Sequence, residues 1–243
     1  MLNKVKSRLA GKTTNKLFVS FMAIVSSLIF STGCSEENPV DPIQDPVNQP
    51  IVTEYTTPGT GWFTKSNING ITSTGEALSP TPGGGGWMTA YSNINVGIFE
   101  HPVVTVYLEN QHLGDPGSYR VETNFSWDGS IAGNGLAGAG ARVEISMEIR
   151  DLGNNLITTY DIAEKEVVES FLQIGGIRVQ GNKNVAVDFN LAQGKTGFKI
   201  RFVMRTEAWS GLFGAITQSH FWDRANLGRG AGWALLKVTK LVN

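Results

Sequence analysis

From Tyr119 onward, apolar and polar residues alternate with a period of two. Tyr119, Val121, Thr123, Phe125 and Trp127 interleave with Arg120, Glu122, Asn124 and Ser126, the pattern of a half-buried strand. Val143, Ile145, Met147 and Ile149 interleave with Arg142, Glu144, Ser146 and Glu148. Turn residues follow at 151–155 and the apolar pattern resumes over 156–162, which predicts a hairpin. Val185, Val187, Phe189 and Leu191 form another inward row and 193–197 a turn. Phe198, Ile200, Phe202 and Met204 begin the next row, with Lys199, Arg201 and Arg205 expected to face water. Residues 233–242 read as a closing strand, and no proline after Pro116 removes a ladder donor. Residues 163–172 read equally as helix or strand: Asp161 and Glu164 have capping-box spacing, Val167, Val168, Phe171 and Leu172 recur at helical intervals, and Gly175 is placed to end a helix. Repeated hairpins with one wet face predict a mainly β fold: an antiparallel β-sandwich of jelly-roll type with at most one short helix.

Composition bears on the core and on partners. The chain has 243 residues, is 41% hydrophobic, and carries 27 of its 29 glycines after Pro50. One cysteine excludes an intramolecular disulfide, and without Cys pairs or clustered His no metal site or other cofactor is expected, so the fold must rest on burial. Residues 1–33 hold five basic residues and no acid. The remainder carries a net charge of −6, which argues against nucleic acid as a partner.

The basic start is followed by residues 17–30, fourteen positions without charge, and then by Ser31, Thr32 and Gly33, the anatomy of a signal peptide. At about 1.5 Å per residue this run reaches only about 21 Å as a helix, short of the hydrocarbon core of about 30 Å. The lone Cys34 comes next. Ser31-Thr32-Gly33-Cys34 resembles the lipobox of bacterial lipoproteins, with Ser31 where that family usually has Leu. The resemblance covers about the first forty residues. It implies cleavage before Cys34 and acylation of its thiol, which would anchor the protein in a membrane. Ser35 after the cysteine resembles the outer-membrane class of Gram-negative lipoproteins, and Glu36 and Glu37 resemble a short surface-export signal. Residues 34–50, with four prolines, four acids and neither glycine nor base, read as a solvated tether. The expected organisation is thus a leader (1–33), a tether (34–50) and one domain (51–243).

Candidate chemistry is sparse. Gly133-Asn134-Gly135-Leu136-Ala137-Gly138 matches a dinucleotide-binding string, but it runs into a strand at Arg142 rather than a helix, so it reads as a loop between strands. Ser219, His220 and Asp223 include nucleophile, base and acid types. Neighbours on a strand point to opposite faces, however, so Ser219 and His220 do not make a catalytic pair. No paired carboxylates are recognisable from spacing, so nothing in the sequence motivates an enzyme. The remaining feature is an imperfect repeat: Gly61-Trp62-Phe63-Thr64 with Ser66-Asn67-Ile68-Asn69, then Gly86-Trp87-Met88-Thr89 with Ser92-Asn93-Ile94-Asn95. One reading is two paired strands solving the same packing problem. The other is a glycan platform in which Trp62 and Trp87 stack on sugar faces while Asn67 and Asn93 bond hydroxyls. The resulting expectation is an outer-membrane or surface lipoprotein binding a glycan. The alternatives are a structural or adhesive protein that binds other proteins, and a glycan-active hydrolase.

Overall fold

The computed structural model describes residues 50–55, 62–69, 73–78, 86–135, 138–168, 176–211, 215–221 and 229–242. The leader, Cys34, the tether up to residue 49, and Trp222, Asp223 and Arg224 lie outside the described residues. Within them the chain forms strands β1 (Ile51–Tyr55), β2 (Trp62–Asn69), β3 (Thr74–Leu78), β4 (Gly86–Gly97), β5 (Val103–Leu113), β6 (Gly117–Gly135), β7 (Gly140–Asp151), β8 (Leu156–Val168), β9 (Ile177–Leu191), β10 (Gly197–Trp209), β11 (Ala215–Phe221) and β12 (Gly230–Lys240). No helix occurs among the described residues.

The strands form two sheets, antiparallel at every pairing. One runs β1-β12-β4-β11-β6-β9, with β3 on β4; the other runs β2-β5-β10-β7-β8. From β4 onward most connections cross from one sheet to the other, so each new strand adds an apolar row to the shared interior. This is the expected β-sandwich of jelly-roll type. The inward rows of the sequence are the core: Val121, Phe125, Ile145, Met147, Ile149, Ile200, Phe202 and Met204 are all buried. Aromatic rings fill its middle, with Phe202 stacked on Trp233 at 4.2 Å between centroids.

One open reading is decided and two expectations need correction. Residues 163–168 are strand, the second of the two readings, because β8 continues along β7 from Ala163↔Ile145 to Val168↔Gly140 and the ladder outweighs the helical spacing. Gly133–Gly135 is not loop but the end of β6, paired with β11 through Gly133↔Thr217. Lys199 and Arg201 do not face open water. Their side chains are 20% and 14% exposed and converge on the buried Glu109, with Arg201 Nε donating to Glu109 Oε2 at 2.7 Å and the guanidinium 4.2 Å from the Tyr107 ring.

The hairpin β7–β8 turns as the sequence predicts. Asn154 takes φ +73°, and Asp151 accepts from Asn155 N at 2.8 Å, Asn155 Nδ2 at 2.9 Å and Lys195 Nζ at 2.8 Å. This turn marks one end of the sandwich. Gly197 begins β10 opposite Leu113 there, and Leu113, Tyr119, Val238 and Lys240 line a common hollow. The chain enters at the same end, since Ile51 pairs with Lys240. β10 then spans about 40 Å at the usual strand rise, from Gly197 to Trp209 at the opposite end.

Candidate functional site

The two copies of the sequence repeat do not pair. Trp62 and Asn67 lie on β2, an edge of the five-stranded sheet, whereas Trp87 and Asn93 lie on β4 within the seven-stranded sheet. The paired-strand reading of the repeat is therefore corrected. The side chains of Trp62 and Asn67 lie outside what is described. Trp87 is partly buried on the outer face, where its ring occupies the space that a Cβ on Gly230 or Gly232 would need. Its Nε1 is buried with no hydrogen-bond partner among the described residues. On the same face Tyr91 meets His220 edge-on at 4.9 Å, and His220 Nδ1 accepts from Arg229 Nη1 at 2.9 Å. Ser219 is buried on the inner face, so Ser219 and His220 are held apart as the alternation requires.

The site the structure does build lies at the far end of β10. A cleft of about 460 Å³, within the usual range for small-ligand sites, is lined by Phe99, Glu100, His101, Arg142, Glu166, Glu207, Trp209 and Ser210. Strand register assembles its floor: Glu207 on β10 lies opposite Arg142 on β7, which lies opposite Glu166 on β8. Trp209, two residues beyond Glu207 on the same face, lies over Gly140. A Cβ there would fall under 3.0 Å from the indole, so only glycine lets the ring lie flat on β7.

The lip is the segment between β4 and β5. Phe99 is 71% exposed and holds φ +54°, a left-handed conformation costly for an aromatic residue. Four hydrogen bonds fix the segment against the end of β10: Phe99 N to Gly211 O (3.4 Å), Ser210 N to Glu100 O (3.0 Å), Glu100 N to Ser210 Oγ (2.9 Å) and Ala208 N to Pro102 O (3.2 Å). A large ring is thus displayed to solvent on a pinned backbone, beside the exposed Ile98.

Polar groups of the floor are mutually oriented. His101 Nε2 donates to Glu207 Oε2 at 2.9 Å and Arg205 Nε donates to Glu207 Oε1 at 2.8 Å, so both oxygens of this nearly buried carboxylate are engaged. Arg142 pairs with Glu144 and, at 2.7 Å, with Glu164. His101 also meets Trp209 edge-on at 6.1 Å. Flat apolar rings beside fixed donors and acceptors suit a sugar ring, which has an apolar face and a rim of hydroxyls.

Sequence reasoning missed these residues. Phe99 and His101 sit outside any periodic segment. Trp209, though, continues the outward row of Lys199, Arg201, Arg205 and Glu207, and an indole among charges was the available signal.

By architecture the chain is an all-β two-sheet sandwich. No protein-family model matches it, and no curated protein does. Among solved structures it is similar to the TmCBM61 module in complex with beta-1,4-galactotriose, at 12% identity over 75% of this chain and 90% of that one, with a TM-score of 0.29. It is also similar to the CBM22-1 xylan-binding domain of Paenibacillus barcinonensis Xyn10C, at 10% identity over 72% and 86% of the two chains and a TM-score of 0.21. A third is the CBM22-1–GH10 portion of Clostridium thermocellum xylanase 10B with xylohexaose, at 11% identity over 75% of this chain and 26% of that one, TM-score 0.26.

Proposed function

We propose that this protein is an outer-membrane lipoprotein, anchored through acylated Cys34 and facing outward, whose non-catalytic β-sandwich holds a glycan in the cleft between Phe99 and Trp209. The observation that carries the reading is Phe99 itself: an aromatic side chain held in an unfavourable backbone conformation, mostly exposed, at the mouth of a cleft walled by a second aromatic. Exposing it costs the fold, so its use lies in what it touches.

The position of the cleft supports a tethered role. Ile51 enters the sandwich at the end where β10 begins, and the cleft lies where β10 ends. The cleft and the point where the described chain enters the sandwich thus lie at opposite ends of β10.

Polysaccharide binding followed by isothermal titration tests the reading. Trp209→Ala should weaken binding about tenfold or more, the loss of one well-packed aromatic contact. Phe99→Gly should weaken binding while leaving stability unchanged or raised by up to about 1 kcal/mol, because glycine relieves the left-handed strain. Opposite signs at one residue separate a binding role from a packing role; a loss of both would overturn this assignment of Phe99. The strands carrying Trp62, Asn67, Trp87 and Asn93 are a second locus. Binding lost in Trp62→Ala/Trp87→Ala but kept in Trp209→Ala would move the site to those strands. Anchoring is tested by Cys34→Ala, which should abolish acyl labelling; a variant labelled and membrane-bound like the wild type would refute lipidation.

A further inference from the structure

The geometry points to a specific ligand class: the cleft takes a glycan residue bearing a free, protonated amine and rejects residues bearing carboxylate or sulfate. This inference rests on the cleft being the glycan site. Its basis is which charges in the lining are already matched. Glu207 is engaged at both oxygens by His101 and Arg205, and Arg142 is engaged by Glu144 and Glu164. Glu166, exposed, competes for that same guanidinium, which is one cation among three carboxylates, and the exposed Glu100 has no ion-pair partner among the described residues.

The backbone carrying each of the two residues is fixed. Glu100 is fixed by its own backbone, whose N–H and C=O both bond Ser210, and Glu166 is fixed by strand register opposite Arg142. Trp209 and Phe99 line the same cleft, and aromatic rings attract a cation through the ring quadrupole while stacking on the apolar face of a sugar. An ammonium on the sugar therefore meets two aromatic rings and a lining in which Glu100, Glu166 and Glu207 outnumber the one guanidinium of Arg142, whereas a uronate or sulfate meets an excess of like charge. A metal ion is a weaker match for the same carboxylates, since no group of three or more His, Cys, Asp or Glu able to hold one exists among the described residues.

The test is titration of the full chain in detergent micelles, at pH 6 and low salt, with four hexasaccharides: β-1,4-linked glucosamine, its fully N-acetylated counterpart, a neutral glucan and a galacturonate. An exposed charge pair contributes about two- to five-fold in affinity. The amine form should therefore bind roughly tenfold tighter than the acetylated form, with the preference shrinking in about 0.5 M salt as the pairs are screened. Glu100→Gln and Glu166→Gln should each remove about two- to five-fold for the amine ligand and nothing for the acetylated one. Glu122→Gln, on the other sheet, should change neither. Equal binding of the amine and acetylated forms, tighter binding of galacturonate, or equal losses in Glu122→Gln would overturn the inference and leave the glycan reading standing. Binding of none of the four would defeat both.

Discussion

Gly129→Ala isolates the way this sandwich accommodates its aromatic residues. Gly129 lies on the inner face of β6, opposite Val179, and a Cβ there would fall under 3.0 Å from three ring carbons of Phe221. Phe221 is wholly buried, so its ring has no solvent to retreat into. Overpacking of this kind costs about 1–3 kcal/mol, and the lower entropy of alanine in the unfolded chain returns about 0.4–1, which leaves a net loss of about 1–2 kcal/mol. Urea denaturation measures it, with Ser130→Ala on the outer face of the same strand as a control expected within about 0.5 kcal/mol. The decisive measurement is a cycle with Phe221→Leu. If the clash causes the loss, a smaller side chain relieves it and the double variant is more stable than the sum of the single effects by about 1 kcal/mol. Additive losses, or a neutral Gly129→Ala, would show that the ring and the glycine are not coupled.

Register in the central hairpin is checked by contrast. Ile145→Ala should cost about 2–5 kcal/mol by leaving a cavity, and Glu144→Ala, on the outer face beside Arg142, should stay within about 0.5; comparable losses in denaturation would mean a shifted strand. Hydrogen bonds from the Asn155 side chain, from Lys195 and from the Asn155 backbone hold the Asp151 carboxyl well below the usual carboxylate range. The unfolded chain therefore binds this proton more tightly. The resulting stabilisation is full above the unfolded value of about 3.9 and is lost as pH falls toward the folded one. Asn155→Ala should accordingly destabilise at neutral pH, with the gap from wild type narrowing below about pH 4; a gap independent of pH would refute the linkage. Lys183 on β9 points inward, donates to Asp161 O on β8 at 2.9 Å and lies 4.7 Å from the Tyr160 ring, joining the edges of the two sheets. Lys183→Met should cost about 1–2 kcal/mol and speed amide exchange along β8, and unchanged exchange would remove it as a latch.

What could be read from sequence followed from burial. Strands with one wet face carry the period of two, and β6, β7, β9 and β10 were legible for that reason. Residues 163–168 were ambiguous because their valines and charges fit both periods, and only the neighbouring strand β7 decides between them. The glycines within strands carried no signal of their role. Gly129, Gly140, Gly181 and Gly232 are strand residues against Phe221, Trp209, Trp127 and Trp87, and a sequence does not display a partner on another strand. The buried Glu109 was hidden likewise, because its partners Lys199 and Arg201 come from a strand ninety residues later. The cleft was least legible of all, since the backbone angle at Phe99 and the row Glu207, Arg142, Glu166 exist only once register and the β4–β5 connection are set.

The disposal of aromatics also explains why the site lies where it does. Inside, Tyr119, Phe125, Phe189, Phe198, Phe202 and Trp233 satisfy one another by stacking and edge contacts. On an outer face an indole lies flat only where the opposite strand offers glycine, as at Trp87 over Gly232 and Trp209 over Gly140. The two indoles then differ in their surroundings. Trp209 has a fixed lip at Phe99 and fixed polar groups at His101, Arg142 and Glu207, which make a concavity. Because that lip is bonded to β10 through Ala208, Ser210 and Gly211, little ordering remains to be done when a ligand arrives, and binding loses less to side-chain and loop entropy. A rigid strand end with a strained aromatic lip is therefore suited to holding a ligand that itself has few strong contacts to offer, which is the situation of a sugar ring in water.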